Sequence, residues 1–284
     1  MNLKSFFKCV YFIVYKRHFF GLTSIFRVFP NFIIIGVGRG GTTSLYHYLS
    51  QHYCLRKSAY DEIGFFDTNY DLGILWYKSM FPTIFTKKRI LAKWNHFMTY
   101  DVTPFYIYNP KVVQRVFTVI PESKIIAILR NPVDKAYSHY NMGVRSGNEK
   151  RSFEDAIKTD LDLIDKNKNI PRNDAYFQDV VEKSYIARGF YAEQLEIWMK
   201  NFSREQILII STEDLAKDTD KTLSTIFHFL GLPDYKIKDL TKKNEVKYPP
   251  MREETRKMLV NYFRPYNEKL YSLIGKRFDW DRYA

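Results

Sequence analysis

The amino-acid sequence of this 284-residue chain predicts an α/β fold of three layers, in which helices cover both faces of a mainly parallel sheet. Two stretches, residues 31–53 and residues 123–142, carry the prediction, because each has the pattern of a buried strand, a tight turn and a helix. Short apolar runs also alternate with amphipathic stretches along the rest of the chain. The strands are predicted near residues 32–36, 98–102, 124–129 and 207–210.

The helices are predicted from apolar residues that recur every three or four positions. In the helix after Gly189, for example, Tyr191, Leu195 and Trp198 fall on one face and predict a buried stripe. A lysine-rich stretch from Lys158 to Asn173 is interpreted as an exposed insertion that passes from helix to loop. The helices are predicted near residues 42–52, 109–118, 132–146, 152–158, 185–201, 219–230 and 252–273.

The first tight turn predicts a cradle for a phosphate-like group. It follows an apolar run, Phe32 to Ile35, of the kind found in strands that are buried on both faces. Its glycines allow several N–H groups to converge at the N-terminus of the next helix, where an anion is stabilised. Hydroxyl groups and the guanidinium of Arg39 add further donors. The candidate residues are Arg39, Gly40, Gly41, Thr42, Thr43 and Ser44.

Two alternatives stay open on this turn alone. A glycine-rich turn between a strand and a helix also occurs without any ligand. A nucleotide-dependent kinase would instead use the loop G-x-x-x-x-G-K-S/T, whose Lys reaches the terminal phosphates. Gly36 and Gly41 have the separation of that loop, but Thr42 occupies the lysine position. The turn therefore lacks the main charge with which a kinase acts on the transferred phosphoryl group.

The second tight turn places another cation at the same edge of the predicted sheet. Arg130 ends an apolar run, and Pro132 suits the first turn of the next helix. Ligands of open parallel sheets bind beyond the carboxyl ends of the strands, so Arg130 and the Arg39 turn are expected to face one crevice. Ser138, about two helical turns beyond Pro132, is placed to hold an anionic group together with Arg130. A surface salt bridge is the alternative role for Arg130.

The two turns, in this order, resemble the sulfotransferases that use 3′-phosphoadenosine 5′-phosphosulfate (PAPS). That family has a K/R-x-G-T-T/S loop and an R-N/D-P-x-x-x-x-x-S segment, and this chain has Arg39 to Thr43 and Arg130 to Ser138. The resemblance spans about residues 30–280 and is closest to the heparan-sulfate-type, carbohydrate-modifying branch and its bacterial relatives. The other matching segments are DVTPFYIY (101–108), SFEDAI (152–157), ARGFYAEQLEIW (187–198), STEDL (211–215), FLGLP (229–233) and YPPMREETRKMLVNYFRPYNEKLY (248–271).

The resemblance implies a nucleotide-kinase-like fold and a PAPS co-substrate. The Arg39 loop is implied to grip the 5′-phosphosulfate, and Arg130 with Ser138 to grip the 3′-phosphate. Arg39 stands where the heparan-type branch usually has Lys, so its charge is kept while proton donation is disfavoured. After Leu240 the family has a basic loop over the nucleotide, for which the candidates here are Lys242, Lys243 and Lys247, with a solvated run of charge as the alternative.

The stretch DEIGFFD, residues 61–67, resembles K-E-x-H-F-F-D of the same branch. Glu62 and Asp67 match, whereas Asp61 replaces a Lys and Gly64 replaces a His. The resemblance implies that Glu62 is the catalytic base and that Arg39 is the catalytic cation. An exposed loop carboxylate without a role is the alternative for Glu62. The implied acceptor is a carbohydrate or another molecule that bears a hydroxyl or amine.

The charge of the chain favours anionic ligands. With 44 Lys and Arg against 31 Asp and Glu, the formal net charge is +13, which suits an anionic nucleotide and an anionic acceptor. Nucleic acid is not an expected partner, because the cations are scattered and neither zinc-finger spacing nor an RNP-type signature is present. No metal ion is expected, since neither the two cysteines nor the six histidines have ligand spacing. A non-catalytic anion-binding or nucleic-acid-binding module is the alternative outside enzymes.

Residues 1–29 form a basic, aromatic N-terminal segment, and residues 30–284 are assigned to the sulfotransferase domain. The longest apolar run of the segment, Cys9 to Tyr15, is far shorter than the roughly 20 residues that cross a bilayer. Its cations among Phe and Tyr suit either a helix on an anionic lipid surface or a helix packed on the domain. The expected location is cytoplasmic, with peripheral membrane contact through this segment; the scarcity of cysteine is consistent with a reducing compartment.

Overall fold

A five-stranded sheet is the middle layer of the computed structural model, which describes residues 20–170, 175–243 and 246–281. The strands are β1 (Phe32–Ile34), β2 (Leu55–Lys57), β3 (Met98–Val102), β4 (Lys124–Leu129) and β5 (Ile207–Ser211). Every pairing is parallel, in the order β2-β3-β1-β4-β5. The predicted α/β fold with a mainly parallel sheet is confirmed, although β2 was not predicted, because only Leu55 of its three residues is buried.

Twelve α-helices and five 3-10 helices surround the sheet within the described residues. The α-helices are α1 (Phe20–Leu22), α2 (Thr42–Leu49), α3 (Ile74–Ser79), α4 (Ile84–Trp94), α5 (Pro110–Val119), α6 (Pro132–Arg145), α7 (Phe153–Lys166), α8 (Ala175–Lys183), α9 (Tyr191–Asn201), α10 (Thr212–Lys217), α11 (Thr219–Leu230) and α12 (Glu253–Ile274). The 3-10 helices are Thr23–Phe26, Tyr70–Leu72, Pro104–Tyr108, Ala187–Gly189 and Arg204–Gln206.

Alternate residues of the central strands face two separate apolar layers, which makes the fold three-layered. Ile33 and Ile125 belong to the larger layer, where Trp198 of α9 is fully buried. Phe32 and Ile126 belong to the smaller layer, which α2 and α11 cover. The predicted buried stripe of α9 is confirmed, and truncation of a buried Trp such as Trp198 to Ala typically costs about 3–5 kcal/mol.

Local sequence sets where the helix of the second turn begins. Pro132 is the first residue of α6, and the side-chain oxygen of Asn131 accepts a hydrogen bond from the N–H of Val133 at 3.0 Å. Asn is a favoured residue at this capping position because its oxygen satisfies an N–H group that the helix leaves unpaired. The predicted start of this helix is confirmed.

Two predicted helix boundaries differ from the structure by six residues or more. Helix α7 continues to Lys166, eight residues beyond the predicted end, because Asp160 and Ile164 are buried, so this part of the lysine-rich stretch is not an exposed insertion. The helix predicted to begin at 185 instead begins at Tyr191. The chain before it turns around Ser184, whose hydroxyl accepts the N–H groups of the two residues Ile186 and Ala187.

Five of the α-helices lie outside the predicted helix ranges: α1, α3, α4, α8 and α10. In α4 only Ile90 is buried, so no apolar stripe marks this helix in the sequence. Among the described residues, no helix combines the length and the apolar character needed to cross a membrane. The N-terminal segment proposed for membrane contact lies largely outside the described residues, which begin at Phe20.

Candidate active site

A cavity of about 520 Å³ opens where the strands end, and it gathers most of the predicted site residues. Segments that follow β1, β3, β4 and β5 all contribute to its wall, as expected for the carboxyl edge of a parallel sheet. Of the predicted residues, Gly40 and Lys247 are absent from the lining; Lys247 is exposed. The predicted residues that line the cavity are Arg39, Gly41, Thr42, Thr43, Ser44, Glu62, Arg130, Ser138, Lys242 and Lys243.

The loop after β1 is fixed by backbone contacts. The N–H of Val37 donates to Ile128 of β4 at 2.9 Å, and the N–H of Gly40 donates to the carbonyl of Val37 at 2.9 Å. A Cβ atom at Gly40 would lie 2.7 Å from that carbonyl oxygen, so no larger residue fits. Gly41 caps α2 at φ 83°, and the first three residues of that helix line the cavity, which places a helix N-terminus at the cavity wall.

Arg39 holds the centre of this loop in a left-handed conformation, at φ 70°. This backbone region is sparsely populated by residues other than Gly and costs about 1–3 kcal/mol. The Nε of Arg39 donates to the hydroxyl of Ser138 at 3.1 Å, and Arg130 donates to the carbonyl of Arg39 at 2.9 Å. The two predicted anion-binding turns are thus joined by direct contacts.

The two guanidinium groups make this wall of the cavity strongly cationic. In the described part of the chain, neither Arg39 nor Arg130 forms an ion pair with an acidic side chain. Burial lowers the pKa of Arg39 from its ordinary value, and the charges of Arg130 and Arg145 lower it further. Because Arg stays protonated at neutral pH, these uncompensated charges favour an anionic ligand.

The segment after Leu240 docks on α2 and brings two of the candidate lysines to the cavity. The hydroxyl of Ser44 accepts the N–H of Lys243 at 2.9 Å, and the hydroxyl of Tyr48 donates to the carbonyl of Leu240 at 3.0 Å. The ring of His47 contacts Asp239 at 2.8 Å. Ser44, predicted as a ligand donor, therefore also anchors the segment that carries Lys242 and Lys243.

Glu62 lies at the rim of the cavity, open to solvent over part of its surface, and its backbone is at φ 52°. Its N–H donates to the carbonyl of Val102, at the end of β3, at 3.0 Å. Partial burial raises the pKa of Glu62 above its ordinary value, and the negative charges of Asp61 and Asp67 raise it further. A carboxylate with a raised pKa is a stronger proton acceptor than an ordinary glutamate.

Hydroxyl groups from the segment after β3 support the Glu62 loop. The hydroxyl of Thr103 accepts the N–H of Gly64 at 3.4 Å, and the hydroxyl of Tyr106 accepts the N–H of Phe66 at 3.2 Å. Both hydroxyls donate to the carboxylate of Asp101, at 2.9 Å and 3.2 Å. Because each hydroxyl donates its hydrogen to Asp101, its oxygen is left to accept the N–H group of the loop.

Asp101 itself is fully buried and does not line the cavity. The hydroxyl of Tyr77 also donates to it, at 3.1 Å. Burial raises the pKa of Asp101 to about 6, although the three hydroxyl donors act in the opposite direction. Its position makes it a support of the Glu62 loop, with no access of its own to the cavity.

Sequence reasoning missed a further wall of the cavity, to which Lys135, His139, Arg188 and Phe105 contribute. Lys135 is buried and donates to the carbonyl of Tyr185 at 3.2 Å; burial holds the pKa of Lys135 well below its ordinary value. Burial and neighbouring cations lower the pKa of His139 to about 2, so its ring is neutral. The helical period counted from Ser138 on α6 could have indicated Lys135, three residues earlier on the same face.

Comparison with known proteins defines the class that this fold and site belong to. The sulfotransferase domain family model matches residues 29–266, and the chain therefore belongs to the sulfotransferase domain family. The predicted resemblance is confirmed. Among the described residues, no group of three His, Cys, Asp or Glu side chains is arranged to hold a metal ion.

Similar proteins include the membrane-associated sulfotransferase kil1 of Dictyostelium discoideum, 28% identical over 88% of this chain and 66% of that protein. The heparan sulfate glucosamine 3-O-sulfotransferase 3B1 of Mus musculus is 28% identical over 89% of this chain and 65% of its own length. The chain thus spans just under two thirds of these curated relatives. A sulfotransferase structure from Alicyclobacillus acidocaldarius superposes with a TM-score of 0.68, at 26% identity, over 90% of this chain and 100% of that one.

Proposed function

We propose that this chain transfers a sulfuryl group from PAPS to a hydroxyl or amine of an acceptor, with a carbohydrate as the favoured acceptor. The observation that carries the proposal is a single cavity that combines a cationic wall with a carboxylate. One wall presents the guanidinium groups of Arg39 and Arg130 and the N-terminus of α2, and Glu62 lies at the rim. Membership of the sulfotransferase family supports the same reaction.

The cationic wall is suited to the nucleotide. Arg39, with the N–H groups and hydroxyls of Thr42 and Thr43, would bind the 5′-phosphosulfate, while Arg130 and Ser138 would bind the 3′-phosphate. Two anionic groups held by adjacent parts of the wall would fix the register of the nucleotide. Positioning of this kind supplies much of the catalysis in group-transfer reactions.

The transfer itself is an in-line displacement at sulfur. The acceptor oxygen or nitrogen forms a bond to sulfur, the bond from sulfur to the 5′-phosphate oxygen breaks, and its electron pair stays on the phosphate. Glu62 would take the proton that the acceptor loses, and Arg39 would stabilise the charge that grows on the leaving phosphate. The raised pKa of Glu62 supports its assignment as the base.

Two observations favour a carbohydrate acceptor. The ring of Phe105 lines the cavity and stays partly exposed, with the guanidinium of Arg188 5.5 Å from its centre. Aromatic faces of this kind pack against the apolar faces of sugar rings. The name of the Mus musculus relative refers to heparan sulfate, which is a carbohydrate. Arg188 would favour an acceptor that carries negative charge.

A kinase on the same fold and a non-catalytic binding module are less well supported. Thr42 stands where a kinase loop has its Lys, and the cations that the two turns themselves bring to the cavity are Arg39 and Arg130. A module that only binds anions has no use for Glu62 in the same cavity. The cytoplasmic location and the membrane contact of residues 1–29 stay predictions.

The test combines nucleotide binding with sulfate transfer. We expect adenosine 3′,5′-bisphosphate to raise the melting temperature more than AMP, ATP or a short oligonucleotide at equal concentration, because only the bisphosphate carries both anionic groups. Transfer of radiolabelled sulfate from PAPS to a panel of oligosaccharides and lipids measures the reaction. Equal stabilisation by all the nucleotides would overturn the assignment of PAPS, and preference for ATP would favour the kinase.

A further inference from the structure

An exposed apolar surface lies away from the residues that line the cavity. It consists of Leu22, Ile25, Phe26, Leu75 and Phe85, whose exposed fractions are 74%, 65%, 51%, 61% and 68%. None of these residues lines the cavity. Single exposed apolar residues are normal on a protein, but a contiguous group of this kind marks an interaction site.

The five residues are held together by packing, which makes them one surface. The ring of Phe26 stacks on Phe85 with ring centres 6.3 Å apart, and α1 and the Thr23–Phe26 turn pack against α3, which carries Leu75. Arg27 donates to the carbonyl of Phe81 at 2.7 Å, and the N–H of Val28 donates to Pro82 at 3.1 Å. These bonds fix the turn before β1 to the segment that leads into α4.

The charge around this surface is positive. Lys87, Lys88 and Arg89 lie two to four residues after Phe85 in α4, and Lys88 and Arg89 are exposed. Residues 72–100 contain no Asp or Glu. Positive charge is also unevenly distributed along the whole sequence. Residues 1–100 contain 13 Lys and Arg against 4 Asp and Glu, whereas residues 101–284 contain 31 against 27. Most of the net charge of +13 therefore lies in the first third of the chain.

We propose that this apolar surface, together with the adjacent cations Lys87 to Arg89, docks the folded domain on an anionic lipid membrane. Aromatic and aliphatic side chains would enter the interface between headgroups and acyl chains, while the cations would contact the headgroups. The two contributions act together, since each Lys or Arg near an anionic surface strengthens binding by about fivefold. The proposal does not depend on the transferase activity.

A second copy of the chain is a less suitable occupant of this surface. Protein interfaces are depleted in Lys, and a symmetric pair built on these apolar residues would bring two copies of the Lys87 to Arg89 cluster together. Like charges at close range oppose such a pair. An anionic bilayer instead neutralises the cations and accepts the apolar side chains.

The test is flotation of the full chain with vesicles, using variants that change only exposed residues. The double variant Phe26→Ser with Phe85→Ser should weaken binding to vesicles of phosphatidylcholine and phosphatidylserine by about tenfold or more. The matched control is Phe117→Ser with Met258→Ser, which removes two apolar residues of 43% and 41% exposure elsewhere and should bind like the original chain. Lys88→Gln with Arg89→Gln should also weaken binding, whereas Lys236→Gln with Lys238→Gln, likewise at exposed positions, should not.

Further measurements separate the other outcomes. Binding to phosphatidylcholine vesicles alone should be weak, and binding to the anionic vesicles should fall as salt is raised. Bisphosphate binding measured on the same variants should be unchanged, which shows that they are folded. Equal vesicle binding by the Phe26 and Phe85 variant and its control would overturn the proposal and leave residues 1–19 as the membrane contact. A dimer in solution that this variant dissociates would instead assign the surface to a second copy.

Discussion

Two loops of the cavity hold a charged residue in the left-handed backbone region, but they are held in place by different means. Arg39 is at φ 70° and Glu62 at φ 52°. Within the described residues, the one other non-glycine residue at positive φ is Asn95, which ends α4. Strained backbone conformations of non-glycine residues are concentrated at functional sites, and both of these residues line the cavity.

The Arg39 loop is fixed largely by the backbone, whereas the Glu62 loop is fixed largely by side chains. In the first loop, Val37 and Gly40 bond within the sheet and the turn, and the hydroxyl of Thr212 donates to the carbonyl of Gly40 at 2.7 Å. In the second, the hydroxyls of Thr103 and Tyr106 accept the loop amides. The cationic wall is therefore held mainly by backbone pairing, and the proposed base is positioned by side chains from another segment.

The largest expected effect separates the roles of the two loops. Glu62→Gln keeps the size of the side chain but removes proton acceptance, so turnover should fall by about 10²–10⁴. Bisphosphate affinity should not fall, because the anionic side chain of Glu62 does not bind the phosphate groups. Sulfate transfer and a binding titration measure the two quantities, with Glu122→Gln, at an exposed loop position, as the control. Near-normal turnover of Glu62→Gln would exclude Glu62 as the base.

At the cationic wall, we expect nucleotide affinity to be the quantity that falls. Arg130→Ala removes a charge-assisted contact worth about 1.5–3 kcal/mol, so affinity for the bisphosphate should fall tens-fold. Affinity for AMP, which has no 3′-phosphate, should change much less. Arg264→Ala, at an exposed position of α12, is the control. Equal losses for the bisphosphate and AMP would show that Arg130 does not bind the 3′-phosphate.

A smaller effect is expected from the support of the Glu62 loop. Asp101→Asn offers one acceptor oxygen instead of two. At least one of the hydroxyls that accept a loop N–H in the original chain must then reorient, and turnover should fall by about tenfold. Bisphosphate affinity should be kept. Tyr77→Phe removes a different donor to Asp101, one with no bond to the loop, and should have a weaker effect. If both variants lowered bisphosphate affinity as well, the effect would be a general loss of structure.

The smallest expected effect is a shift of the pH profile. As the proposed base, Glu62 would accept a proton only when it is deprotonated, so kcat/KM should fall as pH falls through the pKa of Glu62. Because burial, Asp61 and Asp67 raise this pKa, the acid limb should lie above the ordinary glutamate value of 4.5. Asp67→Asn removes one negative charge and should move the limb to lower pH. An unchanged limb in Asp67→Asn would assign it to another group.

The same contrast explains how much could be predicted from the sequence. The central strands and the positions of Arg39 and Arg130 could be predicted, because each depends on a contiguous stretch of strand, turn and helix. The edge strand β2 and helix α4 could not, since each buries only one residue. Lys135 and Arg188 belong to different helical segments, and only packing brings both to the cavity. The supporting role of Asp101 likewise arises from the tertiary structure.

The backbone conformation of Arg39 has a consequence for evolution and engineering. Glycine adopts φ 70° without the strain that Arg39 bears, so a library screened only for resistance to heat should accumulate Gly at position 39. A library screened for sulfate transfer should keep the guanidinium. The two selections would therefore favour different residues at position 39, and a redesign guided by thermostability alone would discard the residue that is proposed to bind the donor.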